Sequence, residues 1–362
     1  MKKIPLSQVF LNDEVKAAAM RALESGQYIL VKECEAFEAE LAAHTGTKHC
    51  VLSSSWTAAM QLVHEAMSLK PDDEILVPSH TAFPSIEPMI HRGGKPVFID
   101  IDETYCLDPE QLEAAITPRT VGILPVHLYG HPANLDRVFA IAQKHGLWVI
   151  EDCAQAQGAK FRGKTVGSMG LAGAFSFFPS KNLTVLGDGG CICTNDTALA
   201  DKVRMLRNHG RKDKFTHEMV GYNARFNEVQ GAIGRVGLRA LDGLNAHRRA
   251  VAARYNERLA GLVQTPPVRD FAEHVYHMYV VRTERRDELQ KFLAGNGIGT
   301  GIHYPVANHQ QPAITSLYHD IPALPCTEAA VKNILSLPVY GELPLEDVDF
   351  VCDKIAEFFG KK

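Results

Sequence analysis

Short apolar runs and amphipathic stretches alternate through the first 195 residues of this 362-residue chain, and that alternation restricts the fold more than any other feature. Strand-like runs are expected at residues 49–53, 74–78, 96–101, 121–125, 147–151, 173–178 and 190–194. Helices are expected over 33–44, with Phe37, Leu41 and Ala42 on one side, and over 58–69, where Leu62, Val63, Ala66 and Met67 recur at helical spacing. Strands that are apolar on both faces and joined by helices belong in a parallel sheet covered on both sides. The expected fold class is therefore α/β, with a large, mostly parallel seven-stranded sheet flanked by helices.

The pattern changes near residue 197. A helix is expected over 198–208, a polar loop over 209–221, a long and largely helical stretch over 228–256, a strand over 275–282 and a helix over 286–296. This length supports more than one core. We expect a large domain at residues 1–245 and a smaller C-terminal α+β domain at 246–362, with a long helix crossing between them.

Composition excludes several classes. The formal net charge is −4 with no extended basic run, so no nucleic-acid partner is expected. No stretch approaches the roughly 20 apolar residues that span a bilayer. Residues 1–8 hold no long apolar core, so no signal peptide is expected. The eight cysteines lack zinc-finger or redox spacing, which fits buried, reduced thiols in a cytoplasmic protein. The 16 histidines form no helical pair with an added carboxylate, so no metal site is expected.

Two residues point to specific chemistry. Asp152 follows the apolar run Leu147-Trp148-Val149-Ile150, which puts it at the carboxyl end of a buried strand, where open α/β sheets bind ligands. Lys181 lies 29 residues later, in Ser176-Phe177-Phe178-Pro179-Ser180-Lys181, just before Gly187-Asp188-Gly189-Gly190. Pyridoxal phosphate (PLP) requires this pair of groups: a lysine to hold its aldehyde covalently, and a carboxylate to keep its ring nitrogen protonated.

With Gln155, Ser176 and the Gly-Asp-Gly-Gly turn in the same order, the chain resembles the DegT/DnrJ family of PLP-dependent sugar aminotransferases. The likeness runs from Gly26-Gln27-Tyr28-Ile29-Leu30 to Leu335-Ser336-Leu337-Pro338. It implies a fold type I PLP transferase, with the N-terminal segment packed on the small domain. It makes Lys181 the cofactor-linked catalytic residue and the proton carrier, Asp152 the partner of the pyridinium, and Gln155 a neighbour of the ring. Ser176, Thr57 and the Ala58 amide match the phosphate cradle, where a helix start aims N–H groups at an anion. Asn223, within Gly221-Tyr222-Asn223-Ala224-Arg225, matches a residue that crosses a homodimer interface to the neighbour's phosphate. His303, Tyr304 and Arg225 fall on the substrate side. Two positions depart from the family pattern: Trp56 stands where glycine is usual, and Ala82 where an aromatic commonly stacks on the ring, leaving Phe83 as the nearest substitute.

The implied reaction moves an amino group, from L-glutamate, to a keto sugar carried on a nucleotide, in cell-surface polysaccharide or amino-sugar biosynthesis. Gly-Asp-Gly-Gly and Gln27-Tyr28-Ile29-Leu30 favour a 3-keto over a 4-keto substrate. The alternatives are a PLP-dependent sugar dehydratase, against which a lysine at position 181 argues, a cyclitol aminotransferase, and a non-catalytic regulator with the same fold.

Overall fold

The computed structural model describes residues 2–360. Its strands are β1 (His49–Ser53), β2 (Glu74–Pro78), β3 (Lys95–Ile99), β4 (Thr120–Ile123), β5 (Trp148–Asp152), β6 (Lys160–Phe161), β7 (Lys164–Thr165), β8 (Ala172–Ser176), β9 (Gly190–Thr194), β10 (Ala272–Glu273), β11 (Tyr279–Arg282) and β12 (Ile334–Leu337). Seven of them form one sheet in the order β1-β9-β8-β5-β4-β2-β3. Only β9 runs against its neighbours, pairing antiparallel with both β1 and β8, so the expected mostly parallel sheet is present. β2, β8 and β9 are buried along their whole length, as strands covered on both faces must be.

This topology gathers the carboxyl ends of β1, β5 and β8 and the amino end of β9 along one edge. Gly190 lies opposite both Ser53 and Ser176 in register. A Cβ on Gly190 would fall 2.5 Å from the Trp56 nitrogen, so glycine lets β9 approach the start of helix Trp56–Ala66. That helix begins two residues earlier than the apolar spacing suggests. Ser55 caps it, its Oγ accepting from the Ala58 N–H at 3.0 Å.

Helix Lys32–Thr45 solves its N-terminus differently. Val31 has no side chain that can cap, and the carboxylate of Glu228 accepts from the N–H groups of Val31, Glu33 and Cys34 at 2.7, 2.7 and 3.2 Å. A negative charge at a helix start is also favourable to its dipole. Glu228 opens helix Glu228–Leu259, which packs against Lys32–Thr45. The contact is close because Gly234 carries no side chain: a Cβ there would lie 2.4 Å from the Phe37 ring.

The C-terminal part has its own core, in which Tyr255, Tyr279, Leu289, Leu337 and Val351 pack together around the antiparallel pair β11–β12. Ile4 belongs to this core and forms a bridge with Ile298. The strand expected over 275–282 is realised only as Tyr279–Arg282, because Val275 and Met278 donate their N–H groups to Gly130 and Tyr129 instead of to a strand.

Candidate active site

A cavity of about 210 Å³ opens at the strand-end edge. Lys181, Asp152, Ser176, Trp56 and Thr57 line it, together with Ser55, Ala82, Ser85, Phe178, Asp188 and Gly189. The expected lysine and carboxylate therefore share one wall system, although the chain reaches them from different strands. Asp152 ends β5, with Oδ1 accepting from the Ala154 N–H at 3.0 Å and Oδ2 from the Ser85 hydroxyl at 2.8 Å. Burial pushes its carboxyl above the usual range, while those two donors and the Lys181 charge pull it back. Burial also brings the Lys181 ammonium down to about 8, against the opposing pull of Asp152. An amine with that pKa is partly neutral near physiological pH and so can attack a carbonyl.

The donor set fits a phosphorylated pyridine aldehyde. An amine, a buried carboxylate and hydroxyls beside a helix start meet in one cavity, and glycine at position 190 keeps that helix start against the sheet edge. The Ala58 amide donates to the Ser55 hydroxyl, and Thr57, Ser55 and Ser176 border the cavity.

The remaining expected residues distribute around this centre. Trp56 turns its indole into the core, with Nε1 donating to the Ala174 carbonyl at 3.1 Å. Gln155 is buried next to the cavity wall; its oxygen accepts from the Tyr129 N–H at 2.7 Å and its nitrogen donates to the Tyr304 hydroxyl at 3.1 Å. Tyr129 in turn bonds His80 and the His303 carbonyl. His303 borders a neighbouring cavity, its Nδ1 2.9 Å from the Ser336 hydroxyl. Arg225 donates to the side chain of Asn223 at 3.1 Å, and neither lines the Lys181 cavity of its own chain. Phe83 packs on the large apolar cluster and is not among the cavity's lining residues, whereas Ala82 is.

Sequence reasoning missed Ser85 and Phe178. Ser85 lies 67 residues before its carboxylate partner, and only the sheet brings the two together. Among the described residues, two clusters of metal-ligand type also form, Cys50 with Cys191 and Cys193, and His127 with Glu151 and Cys153. The Glu151 oxygens are already engaged by His127 and by the N–H groups of Gly167, Met169 and Gly170, which marks a structural carboxylate. Among the described residues, no helix is long and apolar enough to cross a membrane.

A sequence model of the DegT/DnrJ/EryC1/StrS aminotransferase family matches residues 10–356. The pleiotropic regulatory protein of Geobacillus stearothermophilus is 43% identical over 356 residues, covering 96% of each chain. The dTDP-3-amino-3,4,6-trideoxy-alpha-D-glucose transaminase of Streptomyces venezuelae is 43% identical over 351 residues, 96% of this chain and 93% of that one. The crystal structure of S. venezuelae DesV in complex with ketimine intermediate matches with a TM-score of 0.96 at 41% identity, over 100% of both chains. NtdA of Bacillus subtilis, solved with bound cofactor PMP, matches with a TM-score of 0.92 at 30% identity, over 100% of this chain and 86% of that one.

Proposed function

The chain belongs to the DegT/DnrJ/EryC1/StrS aminotransferase family, and on that premise we propose that it moves an amino group from L-glutamate to C3 of a keto sugar carried on a nucleotide. The observation that carries this reading is the meeting of Lys181 and Asp152 in one cavity at the strand-end edge. PLP is the cofactor, and when bound it supplies an electron-withdrawing ring that lets a proton leave the carbon bearing the amino group.

The chain's own residues do the rest. Lys181 would hold the cofactor through Nζ and, as the free amine, would accept there the proton released from that carbon. Its lowered pKa makes the neutral amine available for this. Asp152 keeps the ring nitrogen protonated, and Ser85 with the Ala154 N–H fixes the orientation of its carboxylate. Thr57 and Ser176 receive the phosphate with the Ser55-capped helix start, joined by Asn223 of the partner subunit in a homodimer. Gln155, which bridges Tyr129 and Tyr304, would be a neighbour of the ring. His303, Tyr304 and Arg225 serve the sugar side. A cytoplasmic location accords with eight free cysteines.

The 3-keto preference rests on the Gly187-Asp188-Gly189-Gly190 turn and on the likeness to a transaminase named for a 3-amino sugar. The likeness to a pleiotropic regulatory protein favours a second reading, a regulator on the same scaffold. An intact Lys181–Asp152 pair speaks for catalysis. Purified protein loaded with PLP tests this. Borohydride should fix the cofactor on the peptide containing Lys181, and L-glutamate should bleach the visible absorbance. A cofactor that binds but never responds to glutamate would favour the regulator.

A further inference from the structure

We propose that the cavity bordered by Ser180, the residue before Lys181, receives a hydroxyl group of the sugar, and that Nε2 of His277 accepts its hydrogen bond. This inference rests on the aminotransferase reading and names the residue that would select the sugar. The cavity holds about 100 Å³ and is bordered by Ser7, Ser180, His277, His303 and Ser336.

The direction of the bond follows from the network around His277. Asn182 donates both amide hydrogens elsewhere, to Asn245 Oδ1 at 2.8 Å and to the Val275 carbonyl at 3.1 Å. Its oxygen is left facing His277 Nδ1 at 3.2 Å. An amide oxygen only accepts, so Nδ1 must carry the hydrogen. The ring is neutral: burial holds its pKa well below the ordinary value, and the nearby charges of Lys181 and Arg248 push in the same direction. A neutral imidazole protonated on Nδ1 has a bare lone pair on Nε2. His277 is only 4% exposed, and Nε2 has no partner among the described residues. Nδ1 is turned to Asn182, and His277 is one of the residues that border the cavity, so Nε2 is the ring atom left for a ligand there. A buried acceptor without a donor is unfavourable until a ligand or water supplies one.

The donor must come from the sugar. Ionised glutamate carries hydrogen-bond donors only on its amino group, and that group is engaged in the reaction; its carboxylates accept only. A sugar offers several hydroxyls, and Ser7 and Ser180 also border the cavity.

The test compares PLP-loaded wild type, His277→Phe and His277→Gln in separate half-reactions, followed by cofactor absorbance. One half uses L-glutamate. The other uses a dTDP-linked 3-amino-3,6-dideoxyhexose, which runs the sugar half in reverse. His277→Phe should raise the KM for the amino sugar about ten-fold or more, as expected when a buried polar contact to a substrate hydroxyl is lost. The glutamate half should change far less. His277→Gln, whose amide oxygen can accept in place of Nε2, should recover most of the loss, which separates a lost acceptor from a damaged fold. An unchanged amino-sugar KM in His277→Phe would leave only water at Nε2 and overturn the inference. A defect confined to the glutamate half, or equal defects in Phe and Gln variants, would overturn it as well. If wild type responds to glutamate but neither to this amino sugar nor to other dTDP- and UDP-linked 3-amino sugars, the sugar reading is wrong and the inference falls with it.

Discussion

The Ser85 hydroxyl donates to Oδ2 of Asp152 at 2.8 Å, and Thr81 Oγ1 stands 2.9 Å behind the Ser85 oxygen. All three residues are buried. The carboxylate proposed to pair with the cofactor ring is thus held by a side chain from the loop after β2, on the far side of β4. Ser85→Ala removes one of the two donors on that carboxylate and pushes its pKa further up. Cofactor affinity should fall about ten-fold, the weight of one charge-assisted hydrogen bond. Ser85→Thr, which keeps the hydroxyl, should bind near wild type. Equilibrium titration with PLP across a pH series checks this, and equal affinity in the alanine variant at every pH would remove Ser85 from the site.

Asp152→Asn keeps the shape of the side chain and removes its charge. The ring nitrogen then loses its ionic partner, and the proton transfer that depends on it should slow by roughly 100-fold or more. Single-turnover kinetics with glutamate at saturating PLP separates this from cofactor loss. A near-normal rate would reject the role.

Stability of the cofactor-stripped protein should depend on pH through Lys181. Its folded pKa is lowered to about 8 from an ordinary value of 10.5. Between those values the unfolded lysine holds a proton that the folded one has released, so the unfolded state binds more protons and folding stability rises with pH. Lys181→Met cannot titrate. The Tm of wild type should therefore gain on that of Lys181→Met as pH rises through this window. Parallel Tm curves would show that Lys181 is not desolvated in the apo cavity.

Asn223 and Arg225 are not among the residues that line their own chain's cavity, and the segment before them exposes Phe215 and Val220 at 83% and 94%. Exposed apolar side chains beside a polar hook suit an interface between copies. If Asn223 serves the neighbouring site, Asn223→Ala and Lys181→Ala chains should each be inactive alone and should regain activity when mixed. Each heterodimer then holds one site with neither defect. No recovery on mixing, or a monomer by light scattering at micromolar concentration, would contradict a shared site.

How much of this was legible in the sequence depends on how local the cause is. β1, β2 and β9 coincide with the expected runs, because a strand covered on both faces is apolar along most of its length. Asp152 and Lys181 were legible because one ends a strand and the other follows one, each in a recognisable motif. The start of helix Trp56–Ala66 was misjudged because a capping serine, not an apolar residue, sets it. Residues 275–278 read as strand because their composition is right, yet their backbone is engaged by the Tyr129–Gly130 turn. Ser85, Glu228 and the free edge of His277 were invisible for one reason. Their partners lie 67, about 195 and 95 residues away, and only the sheet order and the long helix bring them together.

The central claim is that this chain places glutamate nitrogen on C3 of a nucleotide-linked sugar by way of Lys181. The most direct measurement supplies ¹⁵N-labelled L-glutamate, PLP and a panel of dTDP- and UDP-linked 3-keto and 4-keto sugars, and locates the label by NMR. The account predicts ¹⁵N on C3 of one or more 3-keto sugars with wild type, and none with Lys181→Ala. Label on C4, label transferred by Lys181→Ala, or a panel left untouched by cofactor-loaded wild type would contradict it.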